Sequence, residues 1–222
     1  NRHGMTVGEL ALFFNHEIDI GCELKIVPMT NWNREQWYDE TGLPWVPPSP
    51  NMPTLDTAVV YPGMCLIEGT QLSEGRGTTR PFENFGAPYI DPHKLLHRIN
   101  NDIDKLPGVI FRPQFFQPMF QKHQGGVCGG LQIHVTDRNQ FKPFLTTLAL
   151  LRAIAELYPN DLKWRTEPYE FVSDRLAIDL LYGNTHLRET IFNDTFSLDE
   201  IENGWQEELN SFKEVRNNYL IY

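Results

Sequence analysis

The chain has little cysteine, no excess of basic charge and no long hydrophobic run, and each shortage removes a class of function. Its three cysteines, Cys22, Cys65 and Cys128, lie far apart in 222 residues. None forms a CxxC pair or joins a His cluster, so a structural zinc site is disfavoured and no disulfide framework is indicated. Cys22 and Cys65 sit among apolar neighbours and read as core. The net charge of −10, with no local Lys/Arg cluster, argues against nucleic acid as a partner. No apolar stretch approaches the roughly 20 residues that a membrane span needs.

Other signatures are missing too. Without a GxSxG elbow, acyl hydrolysis is disfavoured. No GxGxxG follows a strand, which removes the usual dinucleotide loop. His93, His97, His123 and His186 have no ligand spacing. No repeat or low-complexity segment occurs. No secretory leader is visible. The chain opens on Asn1-Arg2-His3-Gly4-Met5 instead of an initiator Met, which reads as a processed or excised start.

What is present is ordinary globular material: 41% hydrophobic and 22% charged residues, enough for one large domain or two small ones. Thr6-Val7-Gly8-Glu9 spells a capping box before a helix over about 7–16. Glu23 to Val27 alternates and predicts a strand stopped by Pro28. A connection rich in Trp and Pro runs from Asn31 to Pro53, and its Trp32, Trp37 and Trp45 argue for an ordered loop. Thr54 caps a helix from Leu55 that Pro62 must break or kink. The segment Arg80 to Pro88 reads as a boundary. Beyond it the spacing predicts helices over 92–103, 143–158, 173–182 and 187–192, with strands over 109–116 and 127–135. A second capping box at Ser197 opens a last helix bearing Ile201, Trp205, Leu209, Phe212 and Val215. The tail Asn218 to Tyr222 predicts a closing strand.

The most informative stretch is Leu66 to Thr78. It sets Glu68, Glu74 and Arg76 among Gly69, Gly75 and Gly77, with Thr70, Gln71, Ser73 and Thr78 between them. Glycines let a backbone approach a ligand closely. Two carboxylates flanking a bond are what glycoside hydrolysis requires, one as acid and one as nucleophile or base. The planar fork of Arg76 suits a carboxylate, whether on a ligand or on Glu74 or Glu83. The plainer reading makes these residues a helix cap and a structural ion pair. His3, just ahead of the first helix, is a further candidate. His134 falls on the polar side of its strand and reads as a half-buried hydrogen bonder.

Several long segments, in order, resemble the bacterial exo-β-N-acetylmuramidases of the NamZ type, formerly a domain of unknown function. They are Arg2 to Glu9, Asn51 to Leu55, Tyr61-Pro62-Gly63, Glu68-Gly69-Thr70, Ser73 to Thr78 and Gly130 to Asp137. The resemblance implies an α/β (α+β) fold. Residues 1–80 would be the C-terminal part of a Rossmann-like α/β domain, and 81–222 a smaller α+β domain. It implies hydrolysis of a terminal β-1,4-linked N-acetylmuramic acid from the non-reducing end of peptidoglycan fragments. The active site would lie between the domains, with no cofactor, outside the cytoplasm, in the periplasm or secreted.

In the family the Arg2-His3-Gly4 motif lies mid-protein, so an N-terminal half of the same protein is an expected partner, and a proposed catalytic glutamate lies there. Glu68 and Glu74 are the catalytic candidates in this chain. Arg76, Thr70, Ser73, Asn51, His3 and Arg2 are the substrate-binding candidates, the lactyl carboxylate of N-acetylmuramic acid giving an arginine a partner that plain sugar lacks. The alternative is a non-catalytic module binding peptidoglycan or another carbohydrate on a shallow groove of Trp32, Trp37 or Trp45.

Overall fold

A computed structural model describes residues 2–193 and 195–222. Two compact units divide the chain, one of residues 46–198 and one of residues 2–45 with 199–222. The boundary expected near residue 80 lies inside the first of these. Helices and a small antiparallel sheet make the fold mixed α/β.

The 46–198 unit is built around α4 (Pro143–Leu157), whose first residue is a proline that suits a first helical turn. Leu145, Leu148, Leu150, Leu151 and Ile154 are all buried on it. Against α4 pack α2 (Leu55–Met64) and α3 (Pro92–Ile99). Asp91 caps α3 by accepting from the amides of His93 and Lys94. The sheet has the order β1 (Asn84–Ala87), β3 (Cys128–Val135), β2 (Val109–Phe116), all antiparallel. Short helices α5 (Ala177–Tyr182) and α6 (His186–Thr190) follow.

Three expectations change here. The helix from Leu55 persists through Pro62 to Met64 and then tightens into a 3-10 turn over Cys65–Gly69. The missing proline N–H therefore costs α2 one rung, the bond to Ala58 O, without ending the helix. The segment read as a boundary contains β1, an edge strand whose Phe85 and Gly86 pair with Leu131 and Gly130. Cys65 and Cys128 are buried, and burial pushes the Cys128 thiol up to about 11, but Cys22 is exposed.

The second unit joins the two ends of the described chain. Its α1 (Val7–Glu17) carries the capping box as read. The last helical stretch is split at Trp205 into α7 (Leu198–Gly204) and α8 (Gln206–Asn217). Phe13 of α1 meets Phe212 and Tyr219 edge to face. Glu9, fully buried, is the hub. It binds the Thr6 amide, the Ile221 amide at 2.8 Å and the Arg34 guanidinium. Burial pushes its carboxyl up, but these donors and the Arg34 charge outweigh it and hold the group below the usual range.

Neither predicted strand of this unit forms. Glu23 to Val27 finds no ladder among the described residues, and Ile26 lies over Gly8 of α1. The tail is fixed through Ile221 on Glu9 and through the Tyr222 hydroxyl, which accepts from the Met29 amide at 2.6 Å.

Candidate functional site

Residues 68–78 form a loop locked on both sides. Ser73 and Gly86 exchange backbone hydrogen bonds at 2.8 and 3.0 Å, so the loop continues the sheet beyond β1. On the other side Gln71 donates to Lys163 and Arg165 donates to Gly69, both at 2.9 Å. Gly75 and Gly77 have φ of +73° and +80°, and a Cβ on either would stand within 2.4 Å of Asn84 O or 2.6 Å of Met119 N. Close approach is what these glycines permit, as the sequence suggested, but the approaching group is protein backbone.

Inside this frame the acids and Arg76 meet. Arg76 Nε lies 2.9 Å from Glu74 Oε1, and its Nη2 lies 3.2 Å from Glu68 Oε1. The guanidinium sits over the Phe82 ring at 5.3 Å, and Tyr61 meets Phe82 edge to face. A second cation comes from the loop between β2 and β3. Lys122 Nζ lies 3.0 Å from Glu74 Oε2 and donates to the carbonyls of Ile67, Glu68 and Leu72. His123 of the same loop reaches the carbonyl of Gln71 at 2.8 Å. The Tyr169 hydroxyl donates to Glu68 Oε2 at 3.2 Å, with Arg165 above the Tyr169 ring. Two carboxylates and two cations thus balance in one buried cluster.

The electrostatics separate its members. Burial raises the Glu68 carboxyl above its usual range. The Glu74 charge adds to the rise, and Arg76 only partly opposes it. Burial lowers Lys122, against the pull of Glu74. Tyr61 and Tyr169 are raised by burial and then by the Glu68 charge. Glu68 Oε1 and Glu74 Oε2 are buried, and each is met by a cation, Arg76 Nη2 at 3.2 Å and Lys122 Nζ at 3.0 Å.

The other candidates are placed as follows. Thr70 and Ser73 stand in the loop, but their hydroxyls serve its backbone. Thr70 Oγ1 donates to Ile67 O and accepts from Leu72 N, and Ser73 Oγ accepts from Gly75 N. Asn51 lies in the same unit, in a turn whose amide binds Ser49 Oγ. Arg2 and His3 belong to the other unit, where both are exposed and His3 Nδ1 accepts from the Met5 amide. Lys122 and Tyr169 were not foreseen. They join the cluster from about 50 and 100 residues away, and no local motif marks them.

The comparisons with known proteins decide the family. Residues 59–222 match the C-terminal model of the exo-β-N-acetylmuramidase NamZ, and residues 1–56 match its N-terminal model. The chain belongs to the NamZ family. A Bacillus subtilis (strain 168) relative named peptidoglycan β-N-acetylmuramidase NamZ is 46% identical over 221 residues, covering 100% of this chain and 51% of its own. Two crystal structures of DUF1343 proteins from Bacteroides fragilis NCTC 9343 superpose with TM-scores of 0.81 and 0.73, at 29% and 28% identity. They cover 98% and 99% of this chain and 56% of each of theirs. The chain therefore spans about half the length of the NamZ relatives it matches.

Proposed function

We propose that this chain is part of a glycoside hydrolase that releases terminal β-1,4-linked N-acetylmuramic acid from the non-reducing end of peptidoglycan fragments. The observation that carries the reading is the buried Glu68–Arg76–Glu74–Lys122 cluster, standing on the loop whose paired carboxylates suggested glycoside hydrolysis. The family membership supplies the reaction class. A carboxyl raised by burial keeps its proton to higher pH, which suits Glu68 to protonating a leaving-group oxygen. Glu74, held between Arg76 and Lys122, orients the loop and offers charge to a developing oxocarbenium ion.

Arg76 spends Nε and Nη2 on the two acids, so of its alternative roles the ion pair with Glu74 is the one in place. The tryptophans give the binding-module alternative little support. Trp32 faces Tyr222 and Arg34, and Trp45 faces Tyr38, leaving no open row of rings.

The same reading makes residues 1–80 the C-terminal part of a Rossmann-like domain, with the preceding N-terminal half as partner, and the match of residues 1–56 to the N-terminal family model supports it. Exposed Val7, Ile18, Val27 and Leu43 support a covering layer there. It also puts the enzyme in cell-wall turnover outside the cytoplasm.

Release of a chromogenic β-N-acetylmuramide by the full-length protein tests the activity. Glu68→Gln is expected to lower kcat by at least about 100-fold, the usual scale for removing a general acid. Unchanged turnover in Glu74→Gln removes Glu74 from the mechanism.

A further inference from the structure

At the rim of this cluster one aromatic side chain packs against nothing among the described residues. Phe171 is fully exposed, at 103% of its reference area. It lies in a tight hairpin in which Tyr169 and Val172 exchange backbone hydrogen bonds at 3.1 and 2.9 Å. The two central residues, Glu170 and Phe171, both have positive φ, +49° and +66°. This is the pattern of a type I′ turn, where Asn-Gly is favoured and an aromatic is among the worst choices. A phenyl ring that buries nothing and strains its own backbone is unfavourable in the folded chain.

The place of the hairpin gives the ring a use. Its first residue, Tyr169, donates to Glu68 Oε2, so the turn projects from the carboxylate cluster itself. Two more apolar side chains, Met119 and Phe120, stand exposed on the loop that brings in Lys122, and the Met119 amide binds Gly77 O beside Arg76. Cluster and rim together offer a charged floor with apolar faces around it.

We infer that Phe171 is a stacking platform for a pyranose ring of the glycan, an aromatic subsite next to the Glu68–Glu74 cluster. One face of a pyranose is a layer of C–H bonds carrying slight positive charge, which the negative face of a phenyl ring attracts while both surfaces leave water. The positive-φ turn holds the ring out from the protein so that its face stays free. This inference rests on the carbohydrate reading of the cluster and adds the residue that grips the sugar.

The test uses the full-length protein with a β-1,4-linked muramic acid disaccharide, measuring binding by calorimetry and turnover by released reducing sugar. Phe171→Ala is expected to raise KM and Kd about three- to tenfold with kcat within about twofold, and Phe171→Tyr to restore wild-type values. Phe171→Gly should raise KM as the Ala variant does and leave the melting temperature unchanged or higher, since glycine accepts positive φ freely. Unchanged Kd in both the Ala and Gly variants overturns the subsite. So does a lower melting temperature in the Gly variant, which would mean that the ring packs against protein. A wild-type protein that binds the disaccharide without cleaving it removes the muramidase reading and leaves the subsite standing. One that neither binds nor cleaves overturns both.

Discussion

Glu68 and Glu74 stand six positions apart on one loop, yet their surroundings differ. Glu74 is 4% exposed with two cations within 3.0 Å, whereas Glu68 shares Arg76 at 3.2 Å and accepts from the Tyr169 hydroxyl. Desolvation without full compensation is what raises a carboxyl, so Glu68 carries its proton above the ~4.3 of a free glutamate. If it is the acid, kcat/KM of the full-length enzyme falls as pH rises through that elevated value, and Glu68→Gln abolishes this alkaline limb. A limb that survives in Glu68→Gln belongs to another group. Lys122 carries the complementary structural prediction. Its ammonium donates to three carbonyls and faces Glu74, so Lys122→Met strips a donor from three buried carbonyls and leaves Glu74 with Arg76 but without its second cation. The expected loss is roughly 3 kcal/mol of unfolding free energy by denaturant titration. Lys122→Arg is expected to recover little of it, because a planar fork cannot meet three carbonyls and a carboxylate arranged around a point.

At the scale of elements, what could be read from the sequence followed from how local each signal is. The capping box of α1, the Pro-led start of α4 and the strands β2 and β3 are written in consecutive residues, and each is found within a residue or so of its predicted place. The loop with Glu68, Glu74 and Arg76 was also visible as a cluster, because its glycines and charges are contiguous. Failures occurred where pairing decides. Glu23 to Val27 has strand composition and no partner, while Asn84 to Ala87 has Gly and Asn and becomes a strand because β3 lies beside it. Lys122 and Tyr169 were hidden for the same reason: only the fold brings them to Glu74 and Glu68.

Glu9 shows how a local signal acquires a distant role. Its capping box was legible, but its bond to Ile221 spans 212 positions. Because the folded carboxyl is held below its unfolded value, its stabilisation is fully present above the unfolded pKa and is lost as pH falls through the folded one. Unfolding of wild type and Glu9→Gln should therefore differ most near neutrality and converge as the solution becomes more acid than about pH 4. A difference that persists once the carboxyl is protonated in the folded state too would assign the effect to shape, not charge.

At the scale of the whole chain, the family models divide the sequence once, near residue 57, while the compact units interleave, with residues 199–222 returning to residues 2–45. The units are unequal in how much they bury. Twelve of the 15 residues of α4 are buried, whereas α1 buries only Glu9 and α8 buries none. Local stability follows buried apolar contact, so the two units should open separately. In hydrogen exchange on the 222-residue chain, amides of α1 and α8 are expected to exchange at least about 100-fold faster than those of α4, and together with each other. Ending the chain at Leu198 removes Phe212 and Tyr219 from Phe13 and the Ile221 amide from Glu9. That truncation should speed exchange in α1 further while leaving α4 protection unchanged. If α4 loses protection as well, the two units fold as one, and the carboxylate cluster on the 68–78 loop depends on a segment that contributes none of its residues.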